Sequence, residues 1–316
     1  MAEAPKPQPP ESLSLKEIRK LDDGARAAYN EARRRWHGHM GIILSAECQS
    51  VLEQLDTFVQ PHIDIDDPAG TPMVALSGLP GLGKTTITSY FGRSIHLQQI
   101  AQYGPLTPSG DERTPVCRIG LTGNTGIKEL NIAASDYFAH PASHGVSAPQ
   151  HLRNALDCVI SCQTKLLIID DLHFLHGRTS KITELSDHFK HIADTLHVIV
   201  LFVGIGLHEP YGLLDDNGDN IDVHKMDQLL RCTKPVDMKP FDCQTDADCQ
   251  HWHEVLLTVE QQLILALKFP GMLAEDMSDY LFARSTGHMG SLMNLPSWVI
   301  CLSALISRMP ARREWF

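Results

Sequence analysis

No run of eighteen apolar residues occurs in this 316-residue chain, so no stretch has the length of a membrane-spanning helix. The opening MAEAPKPQPPESLSLKE is polar and proline-rich, and it lacks the apolar core of a secretory signal. A soluble, cytoplasmic protein is expected. A basic surplus is missing too. The formal charge of −11 excludes a monomer that coats nucleic acid by bulk electrostatics, and leaves only local or assembled contacts to DNA. The eight cysteines (Cys48, Cys117, Cys158, Cys162, Cys232, Cys243, Cys249 and Cys301) are scattered through a chain too large to need staples, so reduced thiols are expected. What is present is a hydrophobic content of 43%, enough for the core of one large domain or two modest ones.

The pattern along the chain alternates. After a tail of about a dozen residues, SLKEIRKLDDGARAAYNEARRRWHG predicts a helix with Ser14 as its N-cap. In LSAECQSVLEQLDTFVQ, a helical stripe runs through Leu44, Val51, Leu52 and Leu55. The acidic IDIDDPAGTP breaks that pattern. Four short apolar runs follow, MVALS, VCRIGL, KLLIID and VIVLFVG, and they read as buried parallel strands. Helix-like segments between them, KTTITSYFGRSIHLQQI, IKELNIAASDYFA and APQHLRNALDCVIS, give the strand–helix alternation of a parallel α/β sheet. After PVDMKPF the strands stop, and three helices are expected in DADCQHWHEVLLTVEQQLILALKF, MSDYLFARS and SLMNLPSWVICLSALISR. The resulting division is a tail and helical lead over 1–60, an α/β nucleotide-binding domain over 61–242 and a small helical lid domain over 243–316.

The chemistry sits in SGLPGLGKTT, directly after the first strand. Gly78, Gly83, Lys84 and Thr85 complete the pattern G-x-x-x-x-G-K-[ST], placed after a strand and opening a helix, as phosphate binding requires. Glycines let the backbone curl until its N–H groups and the helix N-terminus face the phosphates of ATP. Lys84 adds a positive charge, Thr85 offers its hydroxyl to Mg²⁺, and Gly81 and Thr86 complete the candidate cradle. The second part needed is a carboxylate at the end of a neighbouring strand. KLLIIDDLHFL supplies Asp170 as the metal-side acid and Asp171 where many ATPases carry a glutamate that orients water. Asp is one methylene shorter than Glu, which predicts slow turnover. The alternative role for Asp171 is to cap the next turn.

With YNEARRRWH, LSGLPGLGKTTITSYFGR, IDDLHFL, ELSDHFKHIAD, VIVLFVGIG, QLLRCTKPVDMKPF and STGHMGSL in that order, the chain resembles the AAA+ ATPases of DNA transposition, the TniB/TnsC group. The resemblance covers most of the chain. It implies a bacterial, cytoplasmic AAA+ P-loop ATPase with a parallel sheet flanked by helices. It further implies a homo-oligomeric ring or helical filament on double-stranded DNA that bridges its target to a DDE transposase, with hydrolysis resetting the assembly. On this resemblance Lys84 and Thr85 hold phosphate and magnesium, Asp170 the metal, and Asp171 stands at the catalytic acid. Arg231 reaches into a neighbouring subunit's nucleotide as an arginine finger, and Lys128, Arg178 and Lys181 are candidates for DNA contact. An arginine supplied in trans would make turnover depend on assembly.

The chain also departs from the superfamily pattern. Gly204, Ile205 and Gly206 end a strand where a polar sensor often stands, and no arginine opens the helix in STGHMGSL, which leaves Arg284 and His288 as the lid-sensor candidates. Cys243, Cys249, His251 and His253 invite a zinc reading, yet their spacing fits no common finger, and a linker followed by an amphipathic helix explains them equally. Arg33, Arg34, Arg35 and Trp36 fit either a phosphate or base contact, or a charged helix face beside a core tryptophan. The competing function is a helicase-loader-like or signalling NTPase acting on a protein. No acceptor-binding motif supports a small-molecule kinase.

Overall fold

The computed structural model describes residues 8–65, 71–121, 127–140, 147–172, 192, 196–207 and 233–294. Five parallel strands form one sheet: β1 (Met73–Gly78), β2 (Val116–Gly120), β3 (Leu166–Asp170), β4 (Ile199–Gly204) and β5 (Thr233–Met238), in the order β2-β3-β4-β1-β5. The first four are the expected apolar runs, and β3 and β4 are buried along their whole length. The fifth was not expected from the sequence. Its TKPVDM pattern mixes buried residues (Thr233, Val236 and Met238) with exposed ones and contains Pro235, which donates no backbone hydrogen bond. Such a strand is tolerated at a sheet edge, and β5 lies there with β1 as its neighbour.

The helices of this unit are α3 (Ala46–Ile63), α4 (Lys84–Tyr103), α5 (Ile127–Tyr137) and α6 (Ala148–Ser161). α3 buries Cys48, Val51, Leu55, Val59 and Ile63, a stripe at helical spacing. Leu44 lies ahead of it and is exposed, so the buried stripe runs further along the helix than expected. α5 and α6 cover one face of the sheet, where Leu130, Ala134 and Ala155 join Ala75, Ile119, Ile169 and Phe202 in a single core. The amides of Gln60 and Gln98 hydrogen-bond to each other at 2.8 Å, and Gln99 Nε2 donates to Asp64 Oδ1 at 3.0 Å, tying α3 to α4.

A second compact unit joins the two ends of the chain. The contacts divide the molecule into Glu47–Lys239 on one side and the described residues within Met1–Ala46 and Pro240–Phe316 on the other. The linear division at residues 60 and 242 therefore differs from the division by compactness: α3 packs with the sheet, while the helices before it pack with the C-terminal ones. This second unit holds α1 (Leu15–Lys20), α2 (Asp23–His37), α7 (Asp246–Gln262), a π-helical turn (Met272–Asp276), α8 (Ser278–Ser285) and α9 (Met289–Asn294). Ser14 caps α1 in a reciprocal pair with Glu17, as the sequence predicts. The expected single first helix is two, because the Asp22 side chain takes the Ala25 N–H at 2.8 Å and starts a new one.

α7 also ends sooner than its apolar sequence suggests. Trp36 Nε1 donates to Gln262 O at 2.7 Å, Ile264 N donates to His37 Nε2 at 3.0 Å, and Arg33 Nε donates to Ile264 O at 3.0 Å. Side chains of α2 thus satisfy backbone groups that would otherwise continue the helix. Arg34 and Arg35 pair with Glu31 on their own helix. The arginine run with its tryptophan is accordingly a structural clasp with one charged face. The core of this unit is centred on Trp252, which is fully buried and lies 5.7 Å from Phe241 and 5.5 Å from Phe282 between ring centroids.

Cys243 and Cys249 form a disulfide, which corrects the expectation of reduced thiols throughout. The turn that caps α7 brings them together across six residues, with Cα atoms 4.5 Å apart. Among the described residues no group of three His, Cys, Asp or Glu side chains is placed to hold a metal, so the zinc reading of this cluster gains no support. Among the same residues no helix is long and apolar enough to cross a membrane.

Candidate nucleotide site

The phosphate loop connects β1 to α4, and its shape depends on two glycines. Gly83 is the N-cap of α4 with φ +98°, in the left-handed region where a side chain is strained. Gly78 ends β1 beside β5, where an added Cβ would come within 2.5 Å of Met238 O. Substitution there has no room. Leu82 is 2% exposed and anchors the loop to the protein, while Gly81 (φ +75°) and Thr86 are exposed. Among the described residues no side-chain cap hydrogen bond is made at Gly83, and the first amides of a helix are the donors that an anion takes.

Lys84 is half-buried, and its Nζ donates to Gly78 O and Leu79 O, both at 2.7 Å. The ammonium is thereby held over the loop rather than reaching into solvent. Burial pulls its pKa below the ordinary lysine value, and the charges of Asp170 and Asp171 oppose that fall.

Asp170 stands at the end of β3, one strand removed from β1 across β4. It is 2% exposed, and its carboxylate has three hydrogen-bond partners among the described residues. Thr85 Oγ1 donates to Oδ2 at 2.9 Å, Arg118 Nη2 donates to the same Oδ2 at 2.5 Å, and the Asp171 N–H donates to Oδ1 at 2.9 Å. The sheet therefore brings together the hydroxyl and the carboxylate that the sequence placed 85 residues apart. A hard hydroxyl beside a hard carboxylate suits magnesium, which takes one or two protein oxygens and otherwise binds phosphate and water. Thr85 and Asp170 fit that ion.

Asp171 adopts φ +61°, a left-handed backbone unusual outside glycine. Backbone strain of this kind persists where neighbours over-determine it, and here the Asp170 carboxylate holds the Asp171 amide. Behind β4, Ser77 Oγ accepts from the Leu207 N–H at 2.9 Å, pinning the Gly204–Gly206 turn to β1.

Arg118 was not singled out in the sequence, although an arginine inside the apolar run VCRIGL was the available signal. Lys128 is exposed in the first turn of α5. Arg178, Lys181 and Arg231 lie outside the described residues.

A family model described as "Bacterial TniB protein" matches residues 32–214, more than half of the chain and the whole of the site described above. The chain belongs to the TniB family. Among curated proteins none matches it. Two solved structures are similar in fold. Aeropyrum pernix Orc1, determined in complex with DNA, shares 14% identity at a TM-score of 0.55, over 84% of this chain and 62% of that one. A. pernix ORC2, with ADPNP and ADP, shares 12% identity at 0.52, over 82% and 63%. The TniB-family chain thus spans less than two-thirds of the length of either neighbour, and at these identities the likeness is one of fold. That fold is the AAA+ P-loop architecture, a parallel sheet flanked by helices.

Proposed function

We propose that this TniB-family protein is an ATP-dependent regulator of transposition that assembles on duplex DNA without sequence preference and recruits or activates a DDE transposase. The hydrogen bond from Thr85 to Asp170, which joins the phosphate loop to an acidic strand end, supports the nucleotide and magnesium part of the reading, and the TniB family match supports the transposition part. In this reading Gly78, Gly81, Gly83, Lys84, Thr85 and Thr86 bind ATP, and Thr85 and Asp170 hold Mg²⁺. The metal, when bound, supplies positive charge to the phosphates. Asp171 orients water, and its short side chain makes hydrolysis slow, so that turnover resets the assembly instead of driving it.

Arg231 is assigned as the finger acting on a neighbouring subunit, and Lys128, Arg178 and Lys181 as DNA contacts. Residues 61–242 act as the nucleotide domain and 243–316 as its lid. A net charge of −11 is compatible with duplex binding because a ring or filament sums one or two phosphate contacts from each subunit. A heterologous contact, with a finger on one face and a phosphate loop on another, generates such assemblies.

The test is binding of the full chain to a fluorescent random duplex without nucleotide, with ADP, and with a non-hydrolysable ATP analogue, alongside electron micrographs. Binding with rings or filaments in the ATP-like state alone is expected. Nucleotide binding with no duplex binding in any state would replace this reading by a helicase-loader-like or signalling NTPase directed at a protein.

A further inference from the structure

The magnesium-side carboxylate already has a cation on it. Arg118 projects from the middle of β2, next to β3, and its guanidinium meets Asp170 Oδ2, the same oxygen that accepts the Thr85 hydroxyl. The two side chains differ sharply in exposure, 38% for Arg118 and 2% for Asp170. The charge of Asp170 is thus compensated from the solvent side.

A second observation concerns how Arg118 is held. Its Nε is buried with no hydrogen-bond partner among the described residues. An arginine fixed for structural reasons uses several of its five donors, as Arg113 does with Gly104 O at 2.9 Å, Leu106 O at 3.2 Å and the Gln163 amide oxygen. Among the described residues Arg118 instead leaves a buried donor unpaired and donates to one carboxylate oxygen, a costly position for a guanidinium.

We propose that Arg118 is a positioning residue that occupies the metal-side carboxylate, so that nucleotide binding with magnesium requires the Arg118–Asp170 pair to open. The inference rests on the nucleotide-binding reading and deepens it. A monovalent side-chain cation and a divalent ion cannot both sit against Oδ2 without strong repulsion. The pair keeps the Asp170 carboxylate oriented in the nucleotide-free protein, and it raises the magnesium concentration at which the site fills. Partial exposure lets the guanidinium swing out to water without being stranded in the core.

The experiment titrates magnesium chloride into the full chain with a fluorescent ATP analogue, for wild type, Arg118→Gln and Arg118→Lys, with thermal melts of each protein without nucleotide. Arg118→Gln is expected to lower the magnesium half-saturation about tenfold, because the repelling unit charge is removed and a shorter neutral amide replaces the guanidinium. It should also melt at a lower temperature than wild type without nucleotide, and recover more on adding magnesium and the analogue. Arg118→Lys keeps a charge but not the planar guanidinium, guards against a folding defect, and should shift the half-saturation about threefold in the same direction. An unchanged or raised magnesium requirement in both variants, with wild-type nucleotide binding intact, overturns the inference alone. A wild-type protein that binds no nucleotide at any magnesium concentration overturns both this inference and the function it rests on.

Discussion

Each of the two units buries a carboxylate, and the two differ in how much of each is held by backbone. In the C-terminal unit Glu260, 6% exposed, accepts the Gly271 N–H at 3.0 Å on one oxygen and the Leu273 N–H at 2.8 Å on the other. Both donors are backbone amides at the entry to the π-helical turn, so the acid is fully committed to shaping the chain. In the sheet unit Asp170 gives one oxygen to the Asp171 backbone amide and shares the other between two side chains, Thr85 and Arg118. Side chains can rotate away, whereas amides of a folded turn cannot. A buried acid held by backbone is architecture, and one held in part by exchangeable side chains is poised for a ligand.

That contrast is tested most strongly at Glu260. Replacement by Ala leaves two buried amides without an acceptor, which costs about 3 kcal/mol of stability and lowers the melting temperature by several degrees. Nucleotide affinity should stay within about twofold of wild type. If the melt were unchanged while the magnesium requirement moved, the division of labour between the two acids would be lost. Next in size is Lys84→Ala, which removes a charged donor from the phosphates and should weaken ATP binding about 100-fold in a fluorescence titration. Its melting temperature should barely move, since among the described residues the Lys84 ammonium donates to carbonyls of its own loop.

The same contrast explains what the sequence made legible. The phosphate loop could be read directly because Gly78, Gly83, Lys84 and Thr85 are neighbours in the chain and their spacing is the mechanism. Asp170 followed from the apolar strand that precedes it. Arg118 could not be paired in advance, because the contact depends on β2 and β3 aligning Gly120 with Asp170, a register that exists only in the folded sheet. β5 was hidden by Pro235 and by the exposure of Lys234, Pro235 and Asp237, both of which suit an edge. The end of α7 was obscured for a tertiary reason: Trp36, His37 and Arg33, more than two hundred residues earlier, take over its backbone groups. The missed Arg118 pair and the end of α7 both trace to partners distant in sequence, whereas the Asp22 cap and the Cys243–Cys249 disulfide are local.

A smaller effect is expected at Asp171. Asn tolerates the left-handed backbone that this position requires, so Asp171→Asn removes the charge without adding strain. Hydrolysis measured by phosphate release should fall about tenfold, below the roughly 100-fold of a well-placed base, because the shorter side chain reaches water poorly. ATP affinity should be retained. Wild-type turnover in this variant would assign Asp171 to the turn rather than to the reaction.

The smallest effect belongs to the clasp between α2 and the segment after α7. Burial, reinforced by the charges of Arg33 and Lys268, lowers the His37 pKa from 6.5 to about 4. The neutral ring is the useful form, because Nε2 must keep a lone pair to accept the Ile264 N–H. Between pH 6.5 and about 4 the unfolded chain therefore binds more protons at this site than the folded one, and stability rises with pH across that window. The contribution is complete above pH 6.5 and is lost as pH falls towards 4; with the ring only half-buried, it amounts to about 1 kcal/mol. Urea unfolding at pH 7.5 and pH 5 should show a larger loss for wild type than for His37→Gln, whose amide does not titrate. Equal losses would mean that this ring does not hold the clasp. A matching change in nucleotide affinity would mean that the clasp bears on the site, and the two units would then have to be treated as one.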